Sequence, residues 1–342
     1  MHRETSSNLE ERQGHDPEQG TGPLRGAADG CGGAGRRSRW GLDTLSLGIS
    51  LGGPMRSLDW LRQLDWIDHA EALGLHSVWL PEMHFARGAS SSPLVGLAGF
   101  AARTRRLRLG TTSLLLPIHD PRRVAADVDT LQSLSGGRLL LGLGRGFRKP
   151  LFQAFGIDAA SKRDRFDAAL DELLETWGDR CPPLAVAAFG RKGLEQAARR
   201  GLPYLASPLE PLDLVAENLD FHREHLPGDI DAAELAVPIL RTIYVAGSDA
   251  EAREVREALD AESRIQLRGR VPAALDRAAD APAEARTLVG CVSEVIDQVA
   301  RYRERLGMDL LIARVEVPGA TLAERRNSLA RLAEEVIPAL AR

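Results

Sequence analysis

Ser77-Val78-Trp79-Leu80-Pro81-Glu82-Met83-His84-Phe85 passes within nine residues from an apolar strand to ionisable chemistry. Val78, Trp79 and Leu80 suit a buried strand, Pro81 ends it, and Glu82 and His84 follow at once. In folds built from parallel strands the helices cover the sheet, so side chains at the carboxyl ends of strands face the ligand crevice. Glu82 and His84 are therefore the candidate catalytic residues, since an acid beside an imidazole can hold and move a proton.

Outward from this stretch, short β-type runs alternate with longer runs of helical period, the pattern of βα units on a parallel sheet. Strands are expected near Leu45–Ser50, Ser77–Pro81, Leu107–Leu115, Arg138–Leu143, Leu184–Ala188, Tyr204–Ser207, Leu240–Ala246 and Leu310–Val315. Helices are expected near Leu58–Leu73, Leu94–Thr104, Arg122–Leu134, Lys162–Trp177, Leu194–Arg200, Leu212–Glu224, Asp249–Asp260 and Leu322–Leu340, with a further one starting near Ser293. Eight repeats without a reversal of strand order give an α/β fold, a (β/α)8 TIM barrel. An open sheet uses the same pattern, because sequence does not report closure. Asp120 before Pro121 reads as an N-cap with proline in the first turn, and Ser135-Gly136-Gly137 as the stop of that helix.

The chain has 342 residues, 44% of them hydrophobic, and a net charge of −4, which gives no basic field for nucleic acid. Cys31, Cys181 and Cys291 are far apart and lack metal-ligand spacing, so neither a disulfide framework nor a metal site is expected. Without a membrane-length apolar run, or an apolar segment after Arg36-Arg37, the expected location is a reducing cytoplasm, with no membrane partner. Residues 1–42, rich in glycine and charge, read as a disordered tail; residues 43–342 form the barrel domain. Within it, Arg264–Thr287 lacks apolar periodicity and reads as a reduced lid-like insertion.

Three further elements concern ligand binding. Gly142-Leu143-Gly144-Arg145-Gly146 ends an apolar strand with glycines that admit a flat ligand and an arginine suited to phosphate. Its spacing differs from a dinucleotide fingerprint, because Phe147-Arg148-Lys149-Pro150 is not expected to open a helix, and packing alone also explains glycines at strand ends. Gly190-Arg191-Lys192-Gly193 feeds a helix amino terminus, where backbone N–H groups and two cations suit a phosphate; a solvated basic turn has the same composition. The two elements belong to neighbouring strands, and Arg163 lies at the start of the intervening helix. Gly110-Thr111-Thr112-Ser113 offers small residues that leave room for a planar ring.

The order and spacing of Gly74–Phe85, Leu109-Gly110-Thr111, Leu131–Arg138 and Arg145-Gly146-Phe147, continued by Gly201-Leu202-Pro203, Val289-Gly290 and Val336-Ile337-Pro338, resemble the bacterial luciferase-like flavin monooxygenase family, which also includes F420-dependent oxidoreductases. The resemblance covers nearly everything after Leu45. It implies a luciferase-like barrel with reduced, exchangeable FMN, or alternatively F420, at the carboxyl face. The cofactor-binding residues it implies are Thr112 and Ser113, at the position of a non-prolyl cis peptide, then Gly144, Arg145, Arg163, Gly190, Arg191, Lys192 and Gly193. Gly144 stands where some luciferases have a reactive cysteine, and Met83 stands where the family often has the acid–base histidine.

The function implied is a flavin-dependent monooxygenase that uses reduced FMN from a separate flavin reductase, with O2, to oxidise a small organic substrate. The resemblance also implies a homodimer. Two alternatives accompany this reading: an F420-dependent hydride-transfer oxidoreductase, and a non-catalytic flavoprotein or supporting subunit, to which Met83 and the shortened loops point.

Overall fold

The structure is a computed structural model that describes residues 31, 33–42, 44–51, 60–85, 90–267, 278 and 281–340. Ten strands make one parallel sheet: β1 (Ser46–Ser50), β2 (Ser77–Leu80), β3 (Arg108–Thr111), β4 (Leu114–Leu115), β5 (Leu139–Gly144), β6 (Leu184–Ala187), β7 (Tyr204–Leu205), β8 (Pro238–Val245), β9 (Thr287–Gly290) and β10 (Leu310–Arg314). β1 lies between β2 and β10, and β10 pairs with β8. At the other end β7 meets β8 through a parallel bridge from Ala206 to Ile239, which closes the ring. β3 and β4 are two halves of the single strand expected at Leu107–Leu115, both paired to β5.

Helices follow the strands as the periodicity requires. Helices 162–177 and 212–224 begin and end at the expected residues, and the first buries Phe166, Ala169, Leu170, Leu173 and Trp177 along one face. Helix 121–135 starts with the Asp120 side chain accepting from the Arg122 N–H at 2.9 Å and stops at Gly136, which adopts φ 67°. The expected helix at Leu322–Leu340 contains a π-helical turn at Leu332–Val336, just before Pro338, whose ring nitrogen has no proton to give an α-helical ladder.

Of the four clusters of buried apolar side chains among the described residues, the two largest build the barrel. The larger lies between strands and helices and includes Ile49, Val78, Leu80, Leu109, Leu139 and Leu141. The second includes Trp79, Leu140, Ala185, Leu205, Leu240, Leu310 and Ile312. Alternation along β2, β5 and β10 separates the two sets and assigns the second to the barrel interior. Trp79 pairs in register with Gly110 on β3, where a Cβ would overlap the indole ring. The Trp79 Nε1–H donates to Ser77 Oγ at 2.8 Å.

Three expectations are corrected. Residues 33–42 are not tail: Arg37–Trp40 form a helical turn, and Trp40, fully buried, lies 6.1 Å from Trp79 between ring centroids. Backbone bonds from Leu184 N to Ala34 O and from Ala236 N to Gly35 O fasten this segment to the sheet. Aromatic burial outweighs the local glycine content, so the segment plugs the amino-terminal end of the barrel. Second, β9 has no counterpart among the expected strands; it pairs only with the distal half of β8, Thr242 to Val245. Third, a short helix does open at Lys149 (Lys149–Ala154), with Pro150 in its first turn.

Of the lid-like insertion expected at 264–287, residues 268–277, 279 and 280 lie outside the described residues, as do residues 1–30 of the expected tail. The helix expected at Asp249–Asp260 runs on to Leu267, and Ala283–Ala285 form a 3-10 turn before β9. Replacement of Trp40 by alanine should cost about 3–5 kcal/mol of stability, read as a lower urea midpoint. An unchanged midpoint would return residues 33–42 to the status of a tail.

Candidate active site

Glu82 follows β2 directly and is 4% exposed. A carboxylate this far from water needs donors. Its Oε2 accepts from the Leu115 N–H at 2.7 Å, its Oε1 pairs with His84 Nε2 at 2.7 Å, and both oxygens lie within 3.0 Å of His119 Nε2. Burial pulls the carboxyl pKa up, but His119, the Leu115 amide and His84 together outweigh it and hold the group below its ordinary value. The ionised form is thus built in, and each imidazole that donates to it keeps its other ring nitrogen for a ligand.

His119 was not among the residues singled out from sequence. It lies 37 positions from Glu82, at the end of a 3-10 turn (Leu116–Ile118), and only the closed β2–β3–β4 arrangement brings it there. A histidine one residue before the Asp120 helix cap was the available signal. The consequence bears on Met83, whose N–H bonds Ser90 O at 2.8 Å. Glu82 instead carries a second imidazole, His119, which arrives from the 3-10 turn after β4.

Thr112–Ser113 is a cis, non-prolyl peptide between β3 and β4. Ser113 O accepts from the Glu82 N–H at 3.2 Å, which ties this link to the Glu82 cluster. The Thr112 hydroxyl is buried without a partner, a polar atom available to a ligand. Gly144, at the end of β5, lies against Ser113, whose Oγ would overlap a Cβ there. Gly144 and the cis link therefore form one flat wall, without the bulk of a side chain on β5.

Beyond that wall, the Arg145 guanidinium rests on Gly193, where a Cβ would overlap its Nη2. The β5 end and the turn after β6 are in contact. Helix 191–198 starts there with Gly190 as N-cap, so the first-turn N–H groups of Arg191 and Lys192 point out of the helix end. Burial and the like charge of Arg163 both push the Arg145 pKa down, and burial, Arg163 and Arg145 do the same to Lys162. Asp167, the acid that opposes this at Arg145, is itself engaged by Gln196 at 2.6 Å, by Arg200 at 2.8 Å and by Arg199. The three cations thus repel one another with Asp167 as only a shared counter-charge, and a bound dianion would relieve the repulsion.

The Arg191 side chain leans away from the turn. Its guanidinium stacks 4.5 Å from the Phe221 ring centroid on helix 212–224, leaving the residue its backbone N–H. Lys192 and Arg163 are exposed. Around His84 stand Phe155, edge-on with ring centroids 5.1 Å apart, and Phe85, 73% exposed; Phe155 is brought there by the short helix 149–154. Phe147 packs edge-on to Phe189 at 5.8 Å. A cavity of about 580 Å³ lined by Arg37, Thr44, Leu45 and Asp309 opens at the opposite, amino-terminal end of the barrel, away from the strand ends that carry chemistry.

The residues present fit a flavin phosphate and ring: a cationic cradle at Arg145, Arg163 and Gly190–Gly193, a flat wall at Thr112, Ser113 and Gly144, and a free hydroxyl at Thr112. No helix among the described residues is long and apolar enough to cross a membrane.

Comparison with known proteins agrees with this geometry. Residues 49–309 match the model of a family described as luciferase-like monooxygenase. The 4-hydroxyprotoasukamycin monooxygenase of Streptomyces nodosus subsp. asukaensis is 38% identical over 127 residues, 37% of this chain and 32% of that protein. The oxygenase component of the flavin-dependent trigonelline monooxygenase of Acinetobacter baylyi is 25% identical over 316 residues, covering 79% of this chain and 87% of the relative. The crystal structure of monooxygenase RslO1 from Streptomyces bottropensis superposes with a TM-score of 0.73 at 26% identity, covering 86% of this chain and 99% of that one. The chain spans about a third to a half of the length of the curated relatives it matches first.

Removal of the Glu82 charge gives a signed prediction. A depressed folded pKa stabilises the protein above the ordinary carboxylate value of 4.5, and the contribution is lost as pH falls through the folded value. Glu82→Gln should therefore cost about 1–3 kcal/mol at pH 7, with the gap to wild type closing as denaturation is repeated below pH 4.5. A gap that stays constant over that range would mean that the charge of Glu82 contributes nothing.

Proposed function

The chain belongs to the luciferase-like monooxygenase family, and from that premise we propose that it is the oxygenating component of a two-component flavin-dependent monooxygenase. It takes reduced FMN from a separate flavin reductase and uses O2 to oxidise a small organic substrate. The observation that carries the reading is the contact of Arg145 with Gly193, which joins a strand-end arginine to a helix amino terminus beside the cis Thr112–Ser113 link. That arrangement suits a phosphate joined to a planar ring better than it suits either group alone.

The reduced flavin supplies the reactivity toward oxygen when bound. The chain's own residues bind, orient and hold protons. Arg145, Arg163 and the N–H groups of Arg191 and Lys192 hold the phosphate; Thr112, Ser113 and Gly144 support one ring face. His84, its Nε2–H donating to the ionised Glu82, keeps its Nδ1 as the ring nitrogen that can accept or pass on a proton beside the substrate. Phe85 and Phe155 offer apolar surface beside it, which favours a substrate with an apolar or aromatic part. Exposed Trp60, Leu61 and Val95, on the packed helices 60–72 and 93–103, favour a homodimer through that face.

The phosphate cradle is tested by titration of the purified protein with FMN and with riboflavin, which lacks the phosphate. FMN should bind roughly ten to a hundred times more tightly, and Arg145→Ala should erase most of the difference. Equal affinities in the wild type would remove the phosphate from the cradle. Retention of reduced F420 in preference to FMN would move the reading to hydride transfer.

Turnover is tested with a flavin reductase and a substrate panel. Substrate-dependent O2 consumption is expected, with His84→Ala slowing it roughly a hundredfold or more. Flavin binding with no substrate-dependent O2 consumption across the panel would favour the non-catalytic alternative.

A further inference from the structure

Cys31 and Cys181 are 150 positions apart, and nothing in their spacing relates them. In the fold they meet. Cys31 Sγ lies 3.4 Å from both Leu174 O and Gly178 O, at the end of helix 162–177 and the following 3-10 turn (Gly178–Arg180), and Cys181 closes that turn through its N–H on Gly178 O at 3.1 Å. Gly178 O accepts from both the Cys31 thiol and the Cys181 N–H, which sets the two residues side by side at one turn. Cys31 is half-buried and open to small solutes, whereas Cys181 is fully buried behind it. Arg39 completes the environment by donating to Cys181 O from within the plug.

We propose that Cys31 and Cys181 are an oxidative modification site, a peroxidatic and resolving thiol pair that hydrogen peroxide converts into an intramolecular disulfide. The Cys31 thiolate attacks one peroxide oxygen; the O–O bond breaks, hydroxide leaves and Cys31 becomes a sulfenic acid. The Cys181 sulfur then attacks that of Cys31; the S–S bond forms, the S–O bond breaks, and the Cys181 proton departs with the hydroxide as water. The two thiols lose two electrons in all, and one peroxide is reduced to two waters.

The electrostatics suit the order of events. The neighbouring Cys181 thiol and the charge of Arg39 hold the Cys31 thiol below its ordinary value, against burial and Asp179, while the neighbouring Cys31 and burial push Cys181 far up. Cys31 is therefore the nucleophile and Cys181 the reserve. Cys291 differs: its Sγ donates to Asp249 Oδ1 at 3.1 Å, which raises its pKa and keeps it protonated.

The bond has a structural consequence. Cys31 leads into residues 33–42, the plug whose Trp40 packs under Trp79. A disulfide to Cys181 fastens the plug covalently to the turn before β6 and closes a loop of about 150 residues, long enough to restrict the unfolded chain strongly. The site is on the opposite side of the barrel from Glu82 and Arg145, so the proposal is independent of any flavin.

The test uses the full chain exposed to hydrogen peroxide, quenched in acid, denatured, alkylated and digested with trypsin. A linked pair of peptides carrying Cys31 and Cys181 is expected, lighter than their sum by two hydrogens and separated by reductant, with Cys291 still alkylated. Cys181→Ala should leave Cys31 as a sulfenic acid that dimedone captures. The oxidised wild type should melt several degrees higher than the reduced protein. Complete alkylation of both cysteines after peroxide would overturn the proposal, as would a Cys31–Cys31 link between two copies or a Cys31 sulfinic acid in the wild type. The wild-type peptide map decides even if a variant fails to fold.

Discussion

Glu82 takes a negative charge to a place that is 4% exposed, and much of the carboxyl face is arranged to satisfy it. Its donors come from three segments: His84 from the end of β2, the Leu115 amide from β4, and His119 from beyond the 3-10 turn. Ser113 O in turn accepts from the Glu82 N–H. These bonds fix the path of residues 112–119 across the barrel mouth and thereby the position of the cis link, which is the wall on which Gly144 closes. A single buried carboxylate connects the fold of three strands to the shape of the candidate cofactor site.

Aromatic and aliphatic side chains fill the interior of the barrel. Trp79, admitted by Gly110, and Trp40, inserted from below, occupy the interior of the ring together with Leu140, Leu240 and Ile312. Above these layers, at the strand ends, Phe85, Phe147 and Phe155 keep large exposed surfaces. The helical plug at 37–40 thus contributes to the site indirectly, by supporting the floor under it.

What was legible in the chain was whatever depends on local pattern. Helices 162–177 and 212–224 carry a clear apolar period, and β2 and β5 are unbroken apolar runs, so their places could be read directly. The strand-end logic placed Glu82, His84 and Arg145 on one face. Contacts between distant segments were not legible. His119 reaches Glu82 across 37 positions, Trp40 is buried despite its glycine-rich surroundings, and Arg191 at the turn after β6 stacks on Phe221, a ring from another helix. β9 was missed because four residues paired to half of β8 leave too short a pattern to detect.

The carboxyl face therefore carries charge of opposite sign at two places. Glu82 is ionised and held so by its donors; Arg145, Arg163 and Lys162 form a cationic group whose members repel one another. Between them lies the uncharged wall of Thr112, Ser113 and Gly144. A ligand with one anionic end and one flat neutral end is oriented by this field before any specific contact forms, since its anionic end is attracted to Arg145 and repelled from Glu82. The neutral end is then delivered beside His84, the imidazole fixed by the same carboxylate. Orientation and proton handling on this face thus share one origin, the burial of Glu82 beside its donors.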